Sequence, residues 1–229
     1  MVKEEPVSRA LEKFNVFTSH EDHKVTVADA IASTSVRAPY KSFLLDATYQ
    51  KRGADLVLSD VNGTQLIVKN YFDVIVRKGI CDMGDDQAPN SFCIYGDAAF
   101  DTLMVMCVPI IEKQLKREII PQYTYARIYL KDSILEEHTD RPECEISVTI
   151  TLGGEYDRLW PICIKDYEDN TNCIELDIGD AMIYYGSDLK HWRNKFEGKK
   201  QYQLFCHYVY ADGKYKDRLF DGRRNIGTL

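Results

Sequence analysis

At 229 residues and 45% hydrophobic content, the chain can bury a full core as one large or two small domains. A net charge of −7 and a pI near 5.3 argue against a phosphate-reading surface, and so against DNA or RNA as the main partner. No apolar run approaches the ~18 residues of a membrane span, which argues against a membrane partner, and the N-terminal MVKEEPVSRALEKF is too charged for a secretory signal.

Residues 1–40 are mixed: a short helix is expected at Ser8–Phe14, followed by the charged TSHEDHK and then VTVADAIAS, which fits strand or helix equally. From Lys41 the pattern sharpens. ADLVLSD and TQLIVKNYF are two apolar runs around Asn62-Gly63, a dipeptide that supplies the positive φ angles of a tight hairpin turn. Residues 80–97 read as a loop that ends at Asp97, the expected N-cap of a helix over AAFDTLMVMCVPIIEKQLKRE. Pro109 inside that run predicts a kink or a break.

After Pro121 short strands are expected at 123–130, 135–140, 145–152, 160–165, 172–177, 180–186, 190–195 and 200–210. Gly153-Gly154, Asp169-Asn170 and Gly179-Asp180 provide turn signals between them. Such a series favours a β-sandwich or barrel. The seven Cys are scattered without C-x-x-C, a usage that reads as reduced, mostly buried thiols in a cytoplasmic protein.

One stretch carries chemistry. In a strand, side chains two apart share a face, so His138 and Asp140 are able to hold one metal ion between them. A second imidazole from a distant strand, His191 or His207, would complete a two-His, one-carboxylate facial site with coordination positions left open. The pattern occurs twice, but the other copy, His20-Glu21-Asp22, lies among charges with no apolar strand beside it. That setting suits a solvated loop or a helix N-terminus.

Taken together, R-x-Y at Arg127–Tyr129, H-T-D at 138–140, the strand CEISVTITLGG, W-P-x-x-I, G-D-A-M-I-Y-Y-G, H-W-R at 191–193 and G-K-K at 198–200 resemble the 2-oxoglutarate- and Fe(II)-dependent dioxygenases. The likeness is greatest to their prolyl 4-hydroxylase-like branch and spans roughly residues 90–212. The resemblance implies a mainly β fold with flanking helices. Its core would be a double-stranded β-helix, or jelly roll, preceded by the N-terminal hairpin and covered by the helix. Residues 1–78 would form an accessory segment, and residues 79–229 the oxygenase domain.

The same resemblance implies iron held by His138, Asp140 and His191, and 2-oxoglutarate gripped by a basic residue about ten positions after the distal His. Lys200 is favoured for that grip over Lys199, and Tyr129 is expected to place its hydroxyl on the cosubstrate carboxylate. O2 would be the second cosubstrate and ascorbate a reductant. The implied reaction is hydroxylation of a C–H bond, most naturally on a prolyl residue of a peptide or protein, with release of succinate and CO2. Arg141, Trp160, Trp192 and Arg193 are candidates to line the substrate groove. Hydroxylation of a free amino acid or other small molecule, and a non-catalytic jelly-roll binding module, are the alternatives.

Overall fold

The computed structural model describes residues 16–18, 47–52, 55–60, 65–223 and 226–227, with side chains from Val68 onward. The expected helix at Ser8–Phe14, the VTVADAIAS segment, the His20–His23 cluster and the Asn62-Gly63 turn lie outside the described residues.

The core is a jelly roll built from the eight strands that follow Glu118. These are β7 (Ile119–Leu130), β8 (Leu135–His138), β9 (Ile146–Glu155), β10 (Ile162–Lys165), β11 (Thr171–Ile174), β12 (Asp180–Tyr184), β13 (His191–Arg193) and β14 (Lys200–Tyr210). Each matches one of the expected strands. They fold in the order 12-9-14-7 in one sheet and 11-10-13-8 in the other, all antiparallel. Asp169, with positive φ, turns β10 into β11, and Gly179 leads into β12.

Earlier strands extend the larger sheet. β6 (Ser91–Tyr95) pairs with β7, β5 (Asp82–Met83) with β6, and β1 (Val16–Thr18) with β12. A separate sheet holds β2 (Ala47–Arg52), β3 (Asp55–Asp60) and β4 (Gln65–Ile67). The expected hairpin is therefore present as β3 and β4, but its second strand is cut short. Val68–Arg77 is a helix, α1, because Val68, Phe72 and Ile75 recur at helical spacing and bury one face.

A second helix, α2 (Ala98–Leu115), begins as expected at Asp97, whose carboxylate accepts from the Ala99 and Phe100 amides at 2.9 and 3.3 Å. Pro109 does not break it. Burial of nearly every residue from Ala99 to Ile111 outweighs the one hydrogen bond that the proline removes. Gly153-Gly154 is likewise no turn: both lie inside β9, and a Cβ at Gly154 would strike the Tyr156 ring. Among the described residues no helix is long and apolar enough to cross a membrane.

The two faces of the larger sheet differ in chemistry. On β9, Ile146, Val148, Ile150 and Leu152 join the core beneath α1 and α2, while Ser147, Thr149 and Thr151, also buried, point into the jelly roll. On β14, Tyr202, Leu204, Cys206 and Tyr208 face the helices. Phe72 of α1 packs in this core, edge-on to Phe100 at 5.1 Å and Tyr202 at 6.3 Å, so α1 shares the main core. One cysteine expectation is corrected: Cys163 and Cys173, opposite each other on β10 and β11, form a disulfide. Among the described cysteines the remainder are free, and all but Cys81 are buried.

Candidate metal and cosubstrate site

His138 ends β8 and His191 begins β13, and the two are direct partners in the ladder. Neighbouring antiparallel strands thus bring two imidazoles, distant in sequence, to a ring separation of 4.3 Å. Asp140 follows β8, where its amide donates to the Gly186 carbonyl at 2.8 Å. One donor atom from each of His138, Asp140 and His191 lies within 4.8 Å of the others.

The hydrogen bonds define what these donors offer. His138 Nδ1 sits 2.8 Å from the Glu136 carbonyl and His191 Nδ1 2.9 Å from the Leu189 carbonyl. A carbonyl only accepts, so each Nδ1 carries its proton, and each Nε2 presents a lone pair. Both Nε2 atoms face Asp140 Oδ1, at 3.7 and 3.6 Å. Cis ligands about 2.1 Å from a metal stand about 3.0 Å apart, so inward movement of well under an ångström would close this donor set on a transition-metal ion. Burial would push the Asp140 carboxyl up, but the neighbouring His191 and His207 and the hydrogen bond from the Ser147 hydroxyl hold it well below the usual carboxylate range. Burial, then the neighbouring His191, pushes His138 down, which keeps its lone pair free.

Behind the carboxylate lies a support that the sequence reading left out. Ser147 Oγ donates to Asp140 Oδ2 at 2.6 Å and is 3.1 Å from His207 Nδ1. His207, the other sequence candidate for the second imidazole, is buried and stacks on Tyr123 at 4.5 Å. The readable signal was alternation: polar Ser147, Thr149 and Thr151 interleave with Ile and Val in a strand buried on both faces.

The three metal candidates open on a cavity of about 440 Å³ that Tyr125, Arg127, Tyr129, Tyr184, Phe205 and Arg141 help to line. Arg127 is clamped by Asp85, with Nη2–Oδ2 at 2.6 Å and Nη1–Oδ1 at 3.0 Å. Burial raises the Asp85 acid, but the hydrogen bonds from Arg127 and Tyr125 prevail and bring it down to about 2. Tyr129 is fully buried, and its hydroxyl has no hydrogen-bond partner among the described residues.

The expectation for the last strand is corrected. Lys200 falls on the same face of β14 as Tyr202, pointing away from the jelly-roll interior, and its Nζ pairs with Asp73 of α1 at 2.9 Å. Lys199 precedes β14, is exposed, and lines a separate depression of about 800 Å³ that contains none of the three metal candidates. Strand alternation turns Gln201, Gln203, Phe205 and His207 inward instead, so the position ten residues after His191 is an amide.

The four groove candidates separate. Arg141 lines the cavity, held by Asp221 at 2.8 Å and lying over the Tyr123 ring. Trp160 is buried, and its indole donates to the Asn194 carbonyl. Trp192 is half-buried on the face of β13 opposite His191 and does not line the cavity. Arg193 shares the His191 face and is 1% exposed, with burial pushing its guanidinium down to about 10.

No protein-family model matches the chain, and no curated protein sequence matches it. Solved structures do. A Pseudomonas putida prolyl-4-hydroxylase superposes with a TM-score of 0.50 at 10% identity, over 62% of this chain and 83% of that one. A Trichoplax adhaerens prolyl hydroxylase, solved in complex with a hypoxia inducible factor oxygen degradation domain peptide fragment, superposes with a TM-score of 0.53 at 13% identity, over 66% of this chain and 78% of that one. The jelly roll described above is therefore the fold that these prolyl hydroxylases share.

Proposed function

We propose that the chain is an Fe(II)- and 2-oxoglutarate-dependent dioxygenase that hydroxylates a prolyl residue in a peptide or protein. The observation that carries this reading is the convergence of His138, Asp140 and His191, each Nδ1 committed to a backbone carbonyl and each Nε2 turned to the same carboxylate oxygen. Two imidazoles and one carboxylate on one side of a cavity are the donor set of non-heme iron oxygenases. When bound, iron, 2-oxoglutarate and O2 together supply an oxidative decarboxylation to succinate and CO2, coupled to hydroxylation of an unactivated C–H bond.

The chain's own part is positional. Ser147 holds Asp140 Oδ2 so that Oδ1 stays turned to the imidazoles. A carboxylate at this corner, where a halide would otherwise have room to bind, favours hydroxylation over halogenation. Tyr129 offers its unpartnered hydroxyl to a cosubstrate carboxylate. Tyr125, Tyr184 and Phe205 form walls that exclude water and suit contact with a pyrrolidine ring, and Arg141 stands ready for a peptide carbonyl. The fold shared with a prolyl hydroxylase that binds a peptide fragment supports a peptide substrate. We assign residues 79–229 as the catalytic unit and residues 1–78 as an accessory segment that includes α1.

Purified protein supplied with Fe(II), 2-oxoglutarate, ascorbate and a library of Pro-containing peptides is expected to form succinate and to add the mass of one oxygen atom at proline. Asp140→Ala is expected to abolish both. Undiminished turnover in that variant, or succinate release that no peptide stimulates, would overturn the assignment.

A further inference from the structure

A buried charge in the jelly roll has no counter-ion among the described residues. Arg193 is two residues beyond His191 on β13, which places it about 6.6 Å further along the strand on the same inward face. Its Nη1 donates to the Trp160 carbonyl, and its Nε and Nη2 have no partner among the described residues. Its surroundings are aromatic: the guanidinium lies 4.9 Å from the Trp160 ring and interacts with Tyr129, Tyr184 and Tyr156. No carboxylate pairs with it among the described residues. A guanidinium does not shed its proton in a protein, and a buried, unpaired charge is costly, so this arrangement calls for an anion.

A second orphan lies beside it, since Tyr129 packs on the same Trp160 ring as Arg193, at 4.9 Å between ring centroids, and stands between Arg193 and the cavity that Arg193 does not itself line. The Tyr129 hydroxyl is buried without a partner, and Tyr129 and Tyr184 both line the cavity that holds the metal candidates. Meanwhile the inward position on the last strand is Gln201, whose Oε1 is also unpartnered, and Lys200 is engaged outside by Asp73. Arg127, the buried cation that does line the cavity, already has Asp85 as its acid.

We infer that Arg193 and Tyr129 together bind the far carboxylate of 2-oxoglutarate, so that the anchor comes from the strand carrying the distal imidazole and not from a lysine of the last strand. This rests on the dioxygenase reading and deepens it. The spacing from His191 to Arg193 is comparable with the reach of a five-carbon keto diacid from its keto end to its far carboxylate. The planar fork of the guanidinium suits two-point contact with a carboxylate, with the phenol as a third donor.

Calorimetric titration of the full chain loaded with Mn(II) tests the assignment without turnover. The probes are 2-oxoglutarate and 2-oxobutanoate, which share the keto-acid end and differ in the far carboxylate. The wild-type protein is expected to prefer the diacid. Arg193→Met should weaken 2-oxoglutarate about 10- to 100-fold and leave 2-oxobutanoate nearly unchanged, so the preference collapses. Lys200→Met should keep it. If Arg193→Met does not fold, as judged by a thermal melt, Arg193→Lys decides, since it retains the charge but loses the two unpartnered N–H groups and should lower the preference at least about tenfold. A folded Arg193 variant with the wild-type preference, or loss of the preference in Lys200→Met, overturns the anchor while leaving the dioxygenase reading intact. A wild-type protein that binds neither keto acid overturns both.

Discussion

Gly186→Ala is the sharpest perturbation of the proposed metal site, because it acts on a ligand without replacing one. Gly186 has no positive φ, so alanine can adopt its backbone. The obstacle is space: a Cβ there would lie 2.0 Å from Asp140 Oδ2 and 2.2 Å from Ser147 Oγ. Ordinary contact begins near 3.4 Å, so the carboxylate has to retreat by 3.4 − 2.0, about 1.4 Å. Coordination tolerates only about 0.2 Å. Both obstructing atoms are ends of side chains, so the fold should survive with a loss of about 1 kcal/mol, at the lower end for overpacking. Metal affinity should fall at least as far as when a supporting group is lost, about 10- to 100-fold, or roughly 1.4–2.7 kcal/mol of metal-dependent stabilisation. Anaerobic Fe(II) or Mn(II) calorimetry, paired with melts recorded with and without metal, measures both quantities. A variant that binds metal as tightly as the wild type would falsify Asp140 as the carboxylate ligand.

Three further outcomes are expected. Phe72→Ala, which empties a fully buried ring site between Phe100 and Tyr202, should destabilise the protein by about 3–5 kcal/mol in urea unfolding; a cost below about 1 kcal/mol would mean that α1 does not pack on the core. Replacing Cys163 and Cys173 by Ser removes a crosslink between residues ten apart and should cost about 2–3 kcal/mol, and a non-reduced digest should yield the two peptides joined; separate peptides would refute the pairing. Because Asp85 is held down to about 2 beside Arg127, its contribution is present above about pH 4 and is lost as pH falls toward 2. With the carboxylate about one-third exposed, that contribution is discounted to about 1 kcal/mol. Asp85→Asn should therefore be less stable than wild type at pH 7 and approach it near pH 2, and an equal gap at both pH values would exclude the pairing.

What the linear chain determined by itself was set by local physics. Alternating apolar residues after Pro121 specify the eight core strands, and the Asp97 carboxylate specifies where α2 begins. Local rules fail where packing overrides them: Pro109 stays helical because α2 is buried, Gly153-Gly154 stays extended beneath the Tyr156 ring, and the short β5 and β6 add to a sheet edge despite their turn-rich surroundings. Period-two alternation on β14 also contained the news that Lys200 shares a face with Tyr202. Which of the two faces was the interior, however, depended on where α1 and α2 lay. Tertiary structure alone decided that His191 meets His138, that Ser147 and His207 stand behind Asp140, and that Arg193 sits buried with no acid beside it among the described residues. Those contacts join residues far apart in the chain, and their partners are defined only once antiparallel strands from both sheets close around a common cavity.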